Sequence, residues 1–507
     1  MNLSLLIFLA TIALDRPAPA SVDPAIFRAK AAGEPASFLV VFREQANLSG
    51  SRAIADRAER RRFVYESLRA QAEASQAGVL DRLRRLGIRH RPHYLVNMIE
   101  VEADESTARA LARQPGVLAV AANRPAALSR VGPAELAPRR SARTEEVEPN
   151  VALVGAPQVW ERGFTGQGIV IGIADTGVAW RHPALIGQYR GFDGAAASHV
   201  YNWHDAVHAN ASGNVCGTDS PEPCDDEGHG TAVAGLAVGD DGGANRVGVA
   251  PGARWIGCRN MDLGAGTPAR YVECFEFFLA PTDAHGENPR PDLGADVINN
   301  SWTCQEDEGC TDPEVLRSAV EGLRAAGVAA AFAAGNTGPS CASLSAVPAI
   351  YDEAFTVGAT YLTDVIANFS ARGPVQRDGS LRMKPDICAP GVSVRTSSAR
   401  NPDEPYEIFA GTSGASPHVA GALALLWSAV PSLAGEVDAT EQVLEATARP
   451  LQSVIDCGGF SGLAVPNPIF GWGRLDVAAA LEVLPVREVP VRAPGSRSGA
   501  RSLPVRP

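Results

Sequence analysis

A chain of 507 residues, at about 150 per domain, has room for about three units and at least one large core, which excludes a disulfide-held mini-protein. Hydrophobic residues make up 45% and charged residues 20%, the balance of a globular protein rather than a disordered or fibrous one. The net charge of −12 conceals two opposed bodies: residues 21–140 carry 20 basic against 13 acidic side chains, and residues 141–484 carry 19 against 42. So acidic a body argues against a nucleic-acid partner.

The first element is an apolar run over residues 3–14, followed by Ala18-Pro19-Ala20 with small residues where a signal peptidase reads. Residues 1–20 are therefore expected to be an export signal, and the protein to be secreted or periplasmic. No later stretch is long and apolar enough to predict a membrane helix. Residues 37–42, SFLVVF, read as a buried strand, and residues 51–86 carry apolar positions at helical spacing. One or two strands over 93–103, a short helix over 105–113 and a strand over 116–122 complete a β-α-β-(β)-α-β order, that of a small ferredoxin-like module. Four prolines and the charged run PRRSARTEEVEP between 125 and 150 predict an exposed linker open to proteolysis.

From about residue 151 apolar strands (169–174, 296–299, 328–334, 354–357) alternate with helical segments (231–239, 313–326, 416–429). That alternation predicts a parallel sheet covered on both faces, with its ligand site beyond the strands' C-terminal ends. All nine cysteines lie in this acidic body, as suits an oxidising compartment. Cys216 with Cys224, Cys304 with Cys310 and Cys258 with Cys274 are near enough in sequence to pair, while Cys388 is expected to be the odd, buried thiol. The Arg- and Pro-rich residues 485–507 predict a disordered tail.

Four short motifs carry chemistry. IGIADTGV ends a strand on Asp175; EGHGTAVAG sets His229 between glycines before a helix; AAFAAGNTGP places Asn336 after a buried strand; GTSGASPHVAG puts Ser413 at a helix start, with Pro417 expected near the first turn. A serine hydroxyl needs a base to take its proton, and the base needs a carboxylate to fix its tautomer. Helix N–H groups and an amide donor can stabilise the oxyanion that forms. Together these motifs, in the order Asp, His, Asn, Ser, resemble those of the subtilisin-like serine peptidases over about residues 151–484, and the region YNWHDAV through PCDDEGHG looks similar to the bacillopeptidase-F-like branch.

The resemblance implies an α/β fold, a mainly parallel sheet flanked by helices, preceded by the ferredoxin-like module as an inhibitory propeptide (residues 21–140) that also templates folding. It implies that Asp175 orients His229, that His229 is general base and then acid, that Ser413 is the nucleophile, and that Asn336 with the Ser413 N–H forms the oxyanion hole. Ser301 and Trp302 would pair with substrate backbone. Ala333, Ala334 and Gly335 would wall the primary specificity pocket, with Ala346 near its floor, favouring apolar or medium-sized side chains. Thr303 stands where many relatives have glycine. Polypeptides are the implied substrates and the expected state is a monomer. No cofactor is implied for the chemistry, but structural calcium is, and Asp219, Asp225, Asp226, Asp240 and Asp241 are the loop carboxylates that could serve it. No zinc-binding spacing occurs. The rival readings are an inactive peptide-binding scaffold and an esterase or acyl-transferase use of the same groups.

Overall fold

The computed structural model describes residues 20–28, 33–129, 131, 147–209, 213–306, 310–401 and 403–485. The expected export signal and C-terminal tail, and most of the expected linker, lie outside these residues.

The N-terminal module contains β1 (Ser21–Val22), β2 (Ala36–Phe42), α1 (Arg57–Leu86), β3 (Arg89–His93), β4 (Met98–Ala103), α2 (Glu105–Leu111) and β5 (Val117–Ala122). Its sheet runs β1-β5-β2-β4-β3. Apart from the edge strand β1, which joins in parallel, every pair is antiparallel, the ferredoxin-like order expected from the sequence. Long α1 is a single helix, begun by Asp56, whose carboxylate accepts from the Glu59 N–H, and ended by Gly87 in the left-handed region.

The next segment departs from expectation. Residues 126–127, placed in an exposed linker on the strength of nearby prolines, form a short strand β6 (Ala126–Ala127) on the main body.

That body comprises α3 (Pro149–Leu153), α4 (Ala156–Glu161), β7 (Val170–Asp175), β8 (Trp203–Asp205), α5 (His229–Val238), β9 (Arg254–Arg259), β10 (Met261–Asp262), β11 (Ala265–Gly266), α6 (Pro268–Leu279), β12 (Val297–Asn300), α7 (Arg317–Ala325), β13 (Ala329–Ala333), β14 (Phe355–Thr360), β15 (Ile387–Pro390), β16 (Val394–Ser397), β17 (Tyr406–Phe409), α8 (Thr412–Ala429), α9 (Val437–Thr447) and α10 (Val477–Glu482). Seven parallel strands in the order β15-β14-β13-β12-β7-β9-β8 make the central sheet. Chain order reverses between β12 and β7, so the crevice beyond their C-terminal ends is where an α/β sheet places its ligands. One core holds α5 and α8 against one face of the sheet, and a second holds α6 and α7 against the other.

The N-terminal module shares that second core through Leu39, Val64, Leu68, Leu95, Val96 and Met98. Several of its arginines are anchored in the acidic body, in line with the opposite charges of the two segments. Arg61 donates to the Gly294 and Pro291 carbonyls at 2.9 and 3.3 Å and to Asp296 at 3.3 Å. Arg60 donates to the Gly435 carbonyl and to Glu436. Arg91 meets Glu273 at 3.0 Å and His93 meets Glu276 at 3.2 Å.

Four disulfides are present: the three near pairs expected, and Cys341–Cys457, whose separation of 116 residues gave no hint of proximity. Cys388 is unpaired and buried.

Candidate active site

Asp175 closes β7 at the middle of the sheet, and His229 opens α5 beside it. The two meet at 2.7 Å, His229 Nδ1 to Asp175 Oδ1, and the same oxygen accepts from the Thr176 N–H at 2.8 Å. With a carboxylate on Nδ1 the proton sits there, and Nε2 is left as the acceptor nitrogen. The flanking glycines have distinct reasons. Gly228 precedes the helix at φ 96°, in the left-handed region. Gly230 packs so tightly on the turn after Asp175 that a Cβ would lie 2.0 Å from the Gly177 carbonyl oxygen. Burial pushes the imidazole pKa down, but the charge and hydrogen bond of Asp175, helped by Glu227 and Asp225, leave it above the ordinary histidine value.

Sequence reasoning treated Asp225 only as a loop carboxylate. In the structure it ties the two halves of this pair together. Its Oδ1 accepts from Thr176 Oγ1 at 2.8 Å and from the Gly228 N–H at 2.7 Å, and its Oδ2 accepts from the Thr231 N–H and hydroxyl. Thr176 Oγ1 in turn accepts from the Gly230 N–H. The turn after Asp175 and the first turn carrying His229 thus share one carboxylate. Asp225 stands four positions before His229, two residues ahead of the GHG step, and that position is the one sequence signal for it.

Ser413 is the second residue of α8. Its hydroxyl donates to the Ser301 carbonyl at 2.9 Å, and the Ser301 hydroxyl donates back to the Ser413 carbonyl at 2.9 Å. Pro417 explains the second bond. The sequence placed it near the first turn, but it is the sixth helical residue, where its missing N–H is the one that would have bonded the carbonyl four residues back. That carbonyl belongs to Ser413, and Ser301 supplies the donor instead, locking the helix start onto the chain just after β12.

Asn336 follows β13 after Gly335. Its carbonyl oxygen accepts from the Thr412 N–H and hydroxyl at 3.0 and 2.9 Å, which fixes the amide so that Nδ2 points outward. Nδ2 donates to the Ser129 carbonyl at 2.7 Å. Ser129, Asn336, His229 and Ser413 line one cavity of about 690 Å³. Three of the four motif residues, His229, Asn336 and Ser413, therefore border a single crevice at the switch point of the sheet, and Asp175, fully buried, stands behind His229.

Residues 166–473 match the subtilase family. The chain belongs to the subtilase family.

It is 38% identical over 409 residues to bacillopeptidase F of Bacillus subtilis (strain 168), a match that takes in 78% of this chain but 27% of that protein. It is 31% identical over 297 residues to serine protease AprX of the same strain, covering 53% of this chain and 59% of the relative. Over 287 residues it is 32% identical to subtilisin DY of Bacillus licheniformis, covering 56% of this chain and 85% of the relative. The chain thus spans about a quarter of bacillopeptidase F and most of subtilisin DY.

In this subtilase Ala333, Ala334 and Gly335, expected around a substrate, lead directly into Asn336, and Ser301 lies on Ser413. Ala333 and Ala334 are buried at the end of β13, and Gly335 adopts φ 98° with its N–H on Thr412 Oγ1. A Cβ on Gly335 would lie 3.8 Å from the Thr303 side chain. Ser301 and Trp302 continue from β12, and Ala346 precedes Val347, which pairs with Cys304.

The carboxylates suggested for calcium are otherwise engaged. Asp219 meets His208, Asp226 pairs with the buried Arg259, Asp240 takes the Gly242 N–H and Arg246, Asp241 takes Asn245 and Gly243, and Asp225 is described above. Among the described residues no three His, Cys, Asp or Glu side chains are grouped to hold a metal ion, and these five do not fit a calcium site. Subtilase chemistry calls for no cofactor. Nor is any described helix long and apolar enough to cross a membrane.

Proposed function

We propose that this subtilase is an exported serine endopeptidase made as a self-inhibited precursor, and that the bond between Ser129 and Arg130 is the one it first cuts. The observation that carries the reading is the Asn336 hydrogen bond to the Ser129 carbonyl. An extended piece of the chain's own backbone lies in the crevice with its carbonyl on the amide that would hold an oxyanion. Residues 126–127 pair antiparallel with β11 and the Leu128 N–H donates to the Gly264 carbonyl at 2.8 Å, as a bound substrate strand would.

In the proposed reaction Ser413 Oγ leaves the Ser301 carbonyl, turns to His229 Nε2 and gives up its proton as it attacks the substrate carbonyl carbon. Asp175 holds the imidazole tautomer and stabilises the imidazolium. Negative charge on the carbonyl oxygen falls to the Asn336 amide and the N–H groups at the start of α8. The imidazolium then protonates the departing amine, and water repeats the sequence to free Ser413. Ser301 and Trp302 would align substrate backbone, and Ala333, Ala334, Gly335 and Ala346 would shape the primary pocket.

The N-terminal module serves as inhibitor and folding template in this reading, docked by the Arg60, Arg61, Arg91 and His93 contacts. Residues 1–20 would direct export, four disulfides suit an oxidising compartment, and the released enzyme, residues 130–507 with its peptidase domain over 151–484, would act as a monomer.

The test is to incubate the purified full chain and sequence the N-terminus of the large fragment while following casein hydrolysis. The first new N-terminus should be Arg130, appearing before proteolytic activity. A stable full-length chain that never hydrolyses casein contradicts the proposal.

Three further outcomes are expected. Asn336→Ala should lower kcat by about 10²–10³-fold with little change in KM, because the amide acts on charge present only in the transition state; steady-state kinetics on a peptide substrate measures it. The rate should depend on neutral His229. Since its pKa is raised, kcat/KM should fall about tenfold per pH unit on the acid side, with a midpoint above the usual histidine value of about 6.5. Arg61→Ala in the isolated N-terminal module should weaken inhibition of the processed enzyme by about 1–3 kcal/mol, because it removes the donor of the Gly294 and Pro291 carbonyls and one of the two arginines on Asp296, Arg57 remaining; an inhibition constant reads this out.

A further inference from the structure

A completely buried cation stands beside the Asp175–His229 pair. Arg259 closes β9, level with Asp175 on β7 to one side and with Asp205 on β8 to the other, and its side chain has no exposure to solvent. All five of its N–H groups are engaged. Nε and Nη2 hold the two oxygens of Asp205 at 2.9 and 2.7 Å, and Nη2 also donates to the Gly217 carbonyl at 2.6 Å. Nη1 donates to Asp226 Oδ2 at 3.0 Å and to Asn214 Oδ1 at 3.3 Å.

Asn214, Gly217 and Asp226 belong to one loop, closed by the Cys216–Cys224 disulfide. That loop lies so tightly on the turn after Asp175 that a Cβ on Gly177 would fall 1.7 Å from the Cys224 carbonyl oxygen. It ends on two successive carboxylates that face different ways. Asp225 ties the turn after Asp175 to the first turn of α5, as described above. Asp226 turns to Arg259 with one oxygen and with the other accepts from the Leu263 N–H at 3.2 Å. Leu263 precedes Gly264, whose carbonyl receives the Leu128 N–H of the seated strand. Asp226 therefore joins the guanidinium to the crevice edge, and a single peptide bond joins it to the carboxylate that fixes the catalytic pair.

Stability alone does not account for this arrangement. Taking an arginine and two carboxylates out of water is unfavourable, and well-packed apolar side chains in place of a buried ion pair are often as stable. Apolar groups cannot supply a fixed direction to each of four partners, whereas the planar fork of a guanidinium does. We propose that Arg259 is a positioning residue: through Asp226 it holds the Asp225 tie, and with it the Asp175–His229 pair, in register with the Leu263–Gly264 edge on which substrate backbone lies. The inference rests on the peptidase reading above and adds to it a residue that touches neither substrate nor the reacting atoms. A misplacement of about 1 Å from such a distance can lower a rate about a hundredfold.

The experiment uses the self-processed protein, with active enzyme counted by fluorophosphonate labelling of Ser413. Burial pushes the Asp226 carboxyl up to about 6, so assays are run at about pH 8, where it is charged. Asp226→Asn is the first variant. It leaves Arg259 and Asp205 as a balanced pair, so the fold should hold, and circular dichroism checks this. Per labelled site, kcat on a single-residue ester should fall at least about tenfold. On a peptide spanning residues 126–131 KM should rise as well, and the resonance of the His229 Nδ1 proton, which reports its bond to Asp175, should shift. Should Asp226→Asn not fold, Arg259→Lys, which keeps a charge on Asp205 but loses the fork, is to show the same three changes. If any of the three stays as in the unaltered enzyme, the inference is overturned and the peptidase reading stands. Failure of both variants to fold overturns it too, by assigning the network to stability. No hydrolysis of either substrate by the unaltered protein, with Ser413 unlabelled, overturns the peptidase reading and the inference with it.

Discussion

Ser413→Ala is expected to lower kcat by about 10⁵–10⁶-fold, the scale of losing the nucleophile from a serine peptidase triad, and to leave the Ser129–Arg130 bond uncut. The substitution removes one hydrogen bond, from Ser413 Oγ to the Ser301 carbonyl, worth about 1 kcal/mol. The Ser301 hydroxyl still reaches the residue 413 carbonyl, and Pro417 keeps that carbonyl available. Folding and docking of the N-terminal module should therefore persist, so that the loss is one of chemistry and the precursor accumulates as a stable, intact chain. Electrophoresis and intact mass after prolonged incubation measure this. Continued cutting at the same bond in the variant would mean that another nucleophile, or another protein, does the work.

Asp175→Asn comes next in size, at about 10⁴-fold in kcat. Its carboxylate oxygen accepts from both His229 Nδ1 and the Thr176 N–H. An amide in its place can turn its NH₂ toward Nδ1 and so favour the tautomer with the proton on Nε2, where it cannot accept from Ser413. The charge that raises the imidazole pKa also goes, so the acid limb of the residual activity should move to lower pH. A variant of normal activity, or an acid limb displaced upward, would contradict the role assigned to Asp175. Because Asp225 independently ties Thr176 to Thr231 and Gly228, the backbone around the variant residue should stay in place.

Much of this was legible in the sequence because glycine and small residues punctuate the motifs. The Asp175 strand end, the Gly-flanked His229, Asn336 beside Gly335 and Ser413 at a helix start all fall where expected, and the ferredoxin-like order of the N-terminal module does too. What escaped notice depends on contacts distant in sequence. Helix α6 reads PARYVECFEFFL, with Arg270, Glu273 and Glu276 along one side, yet nearly all of it is buried, because that charged side meets Arg91 and His93 of the N-terminal module, a partner distant in sequence. The opposite charges of the two segments are legible, but which groups receive Arg60 and Arg61 is not, since the carbonyls and carboxylates they meet lie more than 200 residues away. Ala126 and Ala127 stand close to prolines that predict a linker, yet with no bulky side chains they fit the crevice edge as a strand. Asp225 resembled an acidic surface loop until its donors were brought to it by the turn after β7. Pro417 was placed too early because the helix begins at Thr412, one residue ahead of the serine.

The most direct test of the central claim is mass spectrometry of the self-processed protein after reaction with a fluorophosphonate. A single adduct on Ser413, formed more slowly as pH falls through the raised His229 pKa and absent from Ser413→Ala, is the result this account predicts. A processed, folded protein that takes up no label at Ser413, or takes it up at another serine, would contradict it.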